Sequence, residues 1–222
     1  MNSVSVVDLG SFTEVTRIQV LRLPTSLQLS HDGSKLYVAN LIPEGASNGK
    51  HTAAKVSIID TRSNKAIKHL ELPNGSNALR AIRLSPDGKR LFVTHTLARF
   101  LVPTTQLDRG WINTSALTII DTQSDTIYAT VLLDDISQGA PGSWGVSMSP
   151  DQTYIYVAHS GTHELSVIDA AGMFKKIAAK ENRTELAYDL SIMSDIRTRI
   201  PLDGNGPHPV LAHGSSVVVA QY

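Results

Sequence analysis

The sequence predicts an all-β fold assembled from a repeated unit of four antiparallel strands. Three observations lead there. A five-residue segment ending in aspartate occurs four times, as Val4-Ser5-Val6-Val7-Asp8, Val56-Ser57-Ile58-Ile59-Asp60, Leu117-Thr118-Ile119-Ile120-Asp121 and Leu165-Ser166-Val167-Ile168-Asp169. A second module alternates with it, at Leu29–Asn40 (LSHDGSKLYVAN), Leu84–His95 (LSPDGKRLFVTH) and Met148–His159 (MSPDQTYIYVAH), with a shortened copy at Ala212–Gln221. The repeats are long, the terminal aspartates being separated by 52, 61 and 48 residues. A long repeat made of four short strands selects a β-propeller, each repeat forming one blade.

The elements follow in order. The second module reads as strand, tight turn, strand, because Pro-Asp-Gly supplies a preset φ and then a left-handed residue between β-branched and aromatic runs. With those strands labelled A and B, strand C begins at the V-S-I-I-D segment and D follows it. The chain opens with C and D (about 4 to 20), runs through three complete A-B-C-D sets and ends with A and B (about 207 to 222). It therefore carries about four blades in a single propeller domain, 1-222. We expect an arc of a larger, typically seven-bladed ring, because the repeat opens with C-D and closes with A-B, each half of a blade. The other closure is a four-bladed ring in which the opening and closing pairs share one blade.

Departures from the repeat mark individuality. Residues 41–54 and 97–115 lengthen B-to-C connections and 134–143 joins D to A, all on one rim. On the opposite rim, residues 170–194 carry Met173, Phe174, Ile177, Leu186 and Leu190 at helical spacing, predicting one or two short amphipathic helices. They read as a lid on the blade edge or, alternatively, as a docking helix.

Composition narrows the function. Twenty basic and twenty acidic residues balance, so no charge excess recruits nucleic acid or an anionic membrane. No apolar stretch reaches the length of a membrane span. There is no cysteine, which excludes disulfides, thiolate metal sites and covalent haem attachment within these residues. Nucleophile-elbow, P-loop and dinucleotide motifs are missing, and no catalytic residue is assigned.

Candidate binding residues come from positions where the repeats differ. Aligned on the turn, the copies place Thr25, Arg80, Trp144 and His208 together near the start of A, and Asn40, His95, His159 and Gln221 together at the end of B. In a propeller the A strands line the central channel, so these positions should form a funnel rim. Arg80 and Arg109 could clamp a carboxylate or phosphate through bidentate hydrogen bonds, or serve as solvated or locally paired charges. Trp144 and Trp111 could stack on a ligand, although Trp144 equally suits packing between blades. His95, His159 and His163, with His208 nearby, could ligate a divalent metal as neutral imidazoles, or act as hydrogen-bonded rim residues. The aspartate closing each C strand is expected to cap the following turn, since a residue present in every copy serves the blade. Asp134-Asp135 is unrepeated and could help hold a cation.

Written out as V-S-I-I-D, L-S-P-D-G-K-R-L-F-V-T-H and I-Y-V-A-H-S, the repeat resembles the YVTN-type β-propeller family of bacterial and archaeal surface and periplasmic proteins, over nearly all 222 residues. Trp144–Asp151 (WGVSMSPD), Ala158–Asp169 (AHSGTHELSVID), Arg199-Ile200-Pro201-Leu202 and Gly204-Asn205-Gly206-Pro207 resemble bacterial propellers fused ahead of a cytochrome c peroxidase-like dihaem domain. The resemblance implies a periplasmic or cell-surface location, no cofactor in this segment, and haem in a domain beyond Tyr222. Similar strands also occur in lactone-hydrolysing propellers and in nitrous oxide reductases with their histidine-ligated copper. The expected function is a non-catalytic scaffold recognising a protein or small ligand at the funnel. The alternative is a propeller enzyme with a histidine-bound metal or lactonase-like activity.

Overall fold

The computed structural model describes residues 2–99 and 112–222. The chain is all-β, with three four-stranded antiparallel sheets flanked by two strand pairs. The first pair is β1 (Ser3–Asp8) with β2 (Thr13–Gln19). The complete sheets are β3 (Pro24–Leu29), β4 (Lys35–Asn40), β5 (Lys55–Asp60) and β6 (Lys65–Glu71); β7 (Ser76–Leu84), β8 (Arg90–Ala98), β9 (Asn113–Asp121) and β10 (Thr126–Leu132); and β11 (Ser143–Met148), β12 (Tyr154–His159), β13 (Glu164–Asp169) and β14 (Arg197–Pro201). The last pair is β15 (Val210–His213) with β16 (Ser216–Val219). In each complete sheet the strands pair in chain order, as the repeat requires.

The turn chemistry repeats. Between the first two strands of each complete sheet, one aspartate oxygen accepts both the preceding serine hydroxyl and the amide two residues on: Asp32 from Ser30 and Ser34, Asp87 from Ser85 and Lys89, Asp151 from Ser149 and Thr153. The following residue is left-handed in all three, Gly33 (φ 71°), Gly88 (φ 74°) and Gln152 (φ 62°). Gln152 pays the steric penalty that glycine avoids, and the turn survives because its hydrogen bonds are intact. At the next turn, Asp8, Asp60 and Asp121 each accept two backbone amides, as expected, whereas Asp169, the fourth copy, precedes a helix and its side chain makes no capping hydrogen bond.

Alternation across each strand sends one face to each neighbouring sheet. Ile58 packs with Leu79, Ile82 and Val93, while adjacent Ile59 packs with Val4 and Ile18. Phe92, Leu117 and Ile119 meet Val146, Ile155 and Val157, and Ala158 and Leu165 meet Val210. Among the described residues five sheets thus stack in chain order. Full burial of side chains such as Phe92 and Ile58 stabilises by about 1.5–3 kcal/mol each.

Helix α1 (Ala170–Ala178) and a 3-10 turn at Arg183–Tyr188 occupy the expected helical insertion. Met173, Ile177 and Leu186 are buried in the cluster between the second and third complete sheets, which supports the lid reading over the docking helix. The B-to-C connection 97–115 is shorter than expected, because β8 and β9 extend to the pairs Leu97 with Thr114 and Ala98 with Asn113. Among the described residues no helix is long and apolar enough to cross a membrane.

Candidate functional site: a groove along the first strands

The first strands of successive sheets, β3, β7, β11 and β15, lie beside one another. Side chains of one strand complete the backbone of the next. Ser26 Oγ and Gln28 Oε1 accept the amides of Ile82 and Leu84 at 3.3 and 3.4 Å, and Ser147 Oγ accepts that of Ala212 at 3.1 Å. Thr25 Oγ1 donates to the Leu79 carbonyl at 2.8 Å, and Thr94 Oγ1 donates to that of Trp144 at 2.5 Å.

Each complete sheet breaks its register at the start of its first strand. The irregularities fall between Pro24 and Ser26, Asn77 and Ala81, and Ser143 and Val146. Thr25, Arg80 and Trp144 lie within these breaks, where the disturbed ladder re-aims side chains. Gly145 is required here for close approach. Its amide donates to the His208 carbonyl at 2.8 Å, and a Cβ at this position would overlap that oxygen and stand 2.6 Å from the Val210 nitrogen.

The consequence is a groove of about 300 Å³ lined by Ser26, Arg80, Arg83, Trp144, His208 and apolar neighbours. The Arg80 guanidinium carbon lies 4.3 Å from the Trp144 ring centroid. Trp144 and His208 stack with centroids 4.0 Å apart and planes at 30°, and Tyr222 lies 5.2 Å from His208. Arg80 lies in β7, Trp144 in β11 and His208 just before β15, yet they are the equivalents aligned in the sequence. Partial burial draws the Arg80 pKa down, and no carboxylate pairs with it among the described residues. Trp144, offered either to a ligand or to inter-sheet packing, packs against Arg80 and His208 and also lines the groove.

His95, His159 and His163 do not line this groove. His95 Nε2 lies 2.8 Å from Thr118 Oγ1 and its Nδ1 3.2 Å from the Thr96 carbonyl. His159 Nε2 lies 2.8 Å from Ser166 Oγ and its Nδ1 2.9 Å from the Ala140 carbonyl. A carbonyl only accepts, so Nδ1 carries the proton in both and Nε2 accepts from the hydroxyl. Burial lowers the pKa of His95 to about 4 and that of His159 to about 3. Asn40 makes the corresponding bond to Ser57 at 3.0 Å. In the three complete sheets the Ser or Thr of the V-S-I-I-D copy is therefore the partner of the last side chain of the second strand, which agrees with the hydrogen-bonded alternative for His95 and His159.

The metal expectation for His95, His159 and His163 is corrected accordingly. The first two are sealed in different sheets with all four ring nitrogens engaged, and His163 Nδ1 accepts from Gly206 N at 3.0 Å on an exposed turn. Among the described residues no three His, Cys, Asp or Glu side chains are placed to hold a metal. Asp134 and Asp135 also have protein partners. Asp134 accepts from the amides of Ser115 and Ala140 at 2.6 and 3.0 Å, and Asp135 pairs with Arg197. Arg109 and Trp111 lie outside the described residues.

Fold and groove together define an all-β repeat protein with an open groove along its first strands. No protein-family model matches the chain. Over 214 residues it is 29% identical to hydrazine synthase subunit beta of Kuenenia stuttgartiensis, the match covering 94% of this chain and 53% of the relative. The chain thus spans about half the length of the curated relative it matches. Its fold is similar to a chain of Kuenenia stuttgartiensis hydrazine synthase, with a TM-score of 0.82 and 24% identity over 100% of this chain and 65% of that one.

Proposed function

We propose that this chain is the propeller arc of a non-catalytic scaffold within a multi-subunit redox enzyme, and that it recognises its partner or ligand at the first-strand groove. One observation carries the reading: Arg80 of β7, Trp144 of β11 and His208, just before β15, form a single stack beside an open groove. Sheets that face one another in chain order support a blade arrangement of YVTN type, with a larger ring completing it. The curated relative is by name a subunit of hydrazine synthase, which supports an assembly with protein partners. In this reading the protein is periplasmic or surface-exposed. Covalent haem belongs to a partner or to an attached domain of cytochrome c peroxidase type, since the chain has no cysteine to bind it. A metal-dependent or lactonase-like enzyme is not favoured, because His95 and His159 are sealed inside separate sheets and His163 stands apart from them on an exposed turn.

Gentle purification of the native protein from its own cells tests this. The expected product is a stoichiometric complex with a haem-bearing chain, recognised by its Soret absorbance, and Trp144→Ala should loosen that complex while leaving the circular dichroism spectrum unchanged. A protein that elutes alone and haem-free, or a complex indifferent to Trp144→Ala, would overturn the reading.

A further inference from the structure

We infer that the first-strand groove binds a small organic monocarboxylate, with Arg80 as the carboxylate clamp and the Trp144–His208 stack as the wall for the ligand's apolar body. The inference rests on the reading of this groove as the recognition surface and names its ligand class.

The charge pattern points to an anion. Arg17, Arg90, Arg197 and Arg199 each pair with a carboxylate. Arg80 has none among the described residues, nor has Arg83, which lines the same groove, and no acidic side chain lines it. A partly buried cation loses hydration, and an aromatic contact offsets only about 0.5–2 kcal/mol of that loss. The site therefore gains more from an incoming anion than a fully solvated or already paired arginine would.

Geometry favours a carboxylate. The Arg80 guanidinium carbon sits over the Trp144 ring at 4.3 Å beside the groove, and the planar N–H fork of a guanidinium matches two carboxylate oxygens. Stacking also restricts the side chain before the ligand arrives, which lowers the ordering cost of binding. Much of the remaining lining is apolar, from Ala81, Ile82, Val146, Pro209 and Val210. About 300 Å³ lies at the lower end of the range for small-molecule sites, so the ligand is of the size of a single substituted ring or short chain.

Isothermal titration of the full chain with benzoate, benzamide and inorganic phosphate tests the inference. Benzoate should bind, with affinity falling as ionic strength rises, while benzamide, which leaves the charge-assisted hydrogen bond unmade, and phosphate, which has no apolar body to bury, each bind at least about tenfold more weakly. Arg80→Gln should weaken benzoate by about tenfold or more, and Arg80→Lys, which keeps charge but loses the planar fork, should fall between Gln and wild type. Thermal melts followed by circular dichroism establish that each variant is folded. Equal binding of benzoate and benzamide, preference for phosphate, or benzoate affinity unchanged in folded Arg80→Gln would each overturn it. If benzoate fails to bind but the haem-protein complex still depends on Trp144, the carboxylate assignment falls and the scaffold reading stands.

Discussion

Acidification from pH 7 to pH 5 should cost this protein about 3 kcal/mol through His95 and His159 alone. Both imidazoles are fully buried, with pKa values lowered to about 4 and about 3. In the unfolded chain a histidine takes up its proton near pH 6.5. Below that pH the unfolded state binds more protons than the folded one, so stability falls as pH falls. The contribution is complete above about pH 6.5 and drains away towards pH 4 for His95 and pH 3 for His159, with a slope approaching about 1.4 kcal/mol per pH unit for each. The physical cause is desolvation, reinforced at His159 by the positive charges of Arg197 and Arg199. Urea unfolding at pH 7 and pH 5 measures the effect before most carboxylates titrate.

The repeat supplies its own control. Asn40 occupies the same place and donates to the equivalent hydroxyl without a titratable ring. A His95→Asn/His159→Asn double variant should therefore lose much less stability than wild type between pH 7 and pH 5. Parallel pH profiles for the two proteins would show that the buried histidines are not the source.

Gly145→Ala should release the last strand pair from the third complete sheet and cost about 1–3 kcal/mol. The added methyl would collide with backbone atoms, the His208 carbonyl and the Val210 amide, which cannot rotate away as a side-chain tip could. β15 must move, breaking the 2.8 Å bond from Gly145 N to the His208 carbonyl and separating His208 from Trp144. Amide hydrogen exchange would then accelerate across residues 210–219 and much less in β7 to β10. Gly10→Ala is the comparison, because its Cβ would meet only the flexible Asp8 carboxylate at 3.4 Å. Its effect should stay within about 0.5 kcal/mol. Unchanged exchange in folded Gly145→Ala would show that this close approach does not hold the pair in place.

Strand order, both turn types and the helical insertion were all legible in the residues, because each is written locally. Pro-Asp-Gly presets a turn, an aspartate two residues before an amide caps it, and alternating β-branched residues make a strand with two apolar faces. Repetition strengthens every one of these readings, and alignment of the copies puts Arg80, Trp144 and His208 in register. The same alignment grouped His95 with His159 but could not say which way the rings face. In the structure the end of strand B turns inward to the C-strand hydroxyl, and a position that varies among blades proves to be a buried hydrogen-bonding post.

What this sequence determined by itself is the repeating unit: its strands, its turns and the equivalence of positions between copies. Only the tertiary structure decided which equivalent positions share a groove and which are sealed in separate sheets. The reason is physical: side-chain direction at the start of each first strand depends on a break in pairing register and on how closely β11 and β15 approach at Gly145. Both are properties of strands brought together across sheets, and no local spacing of residues encodes them.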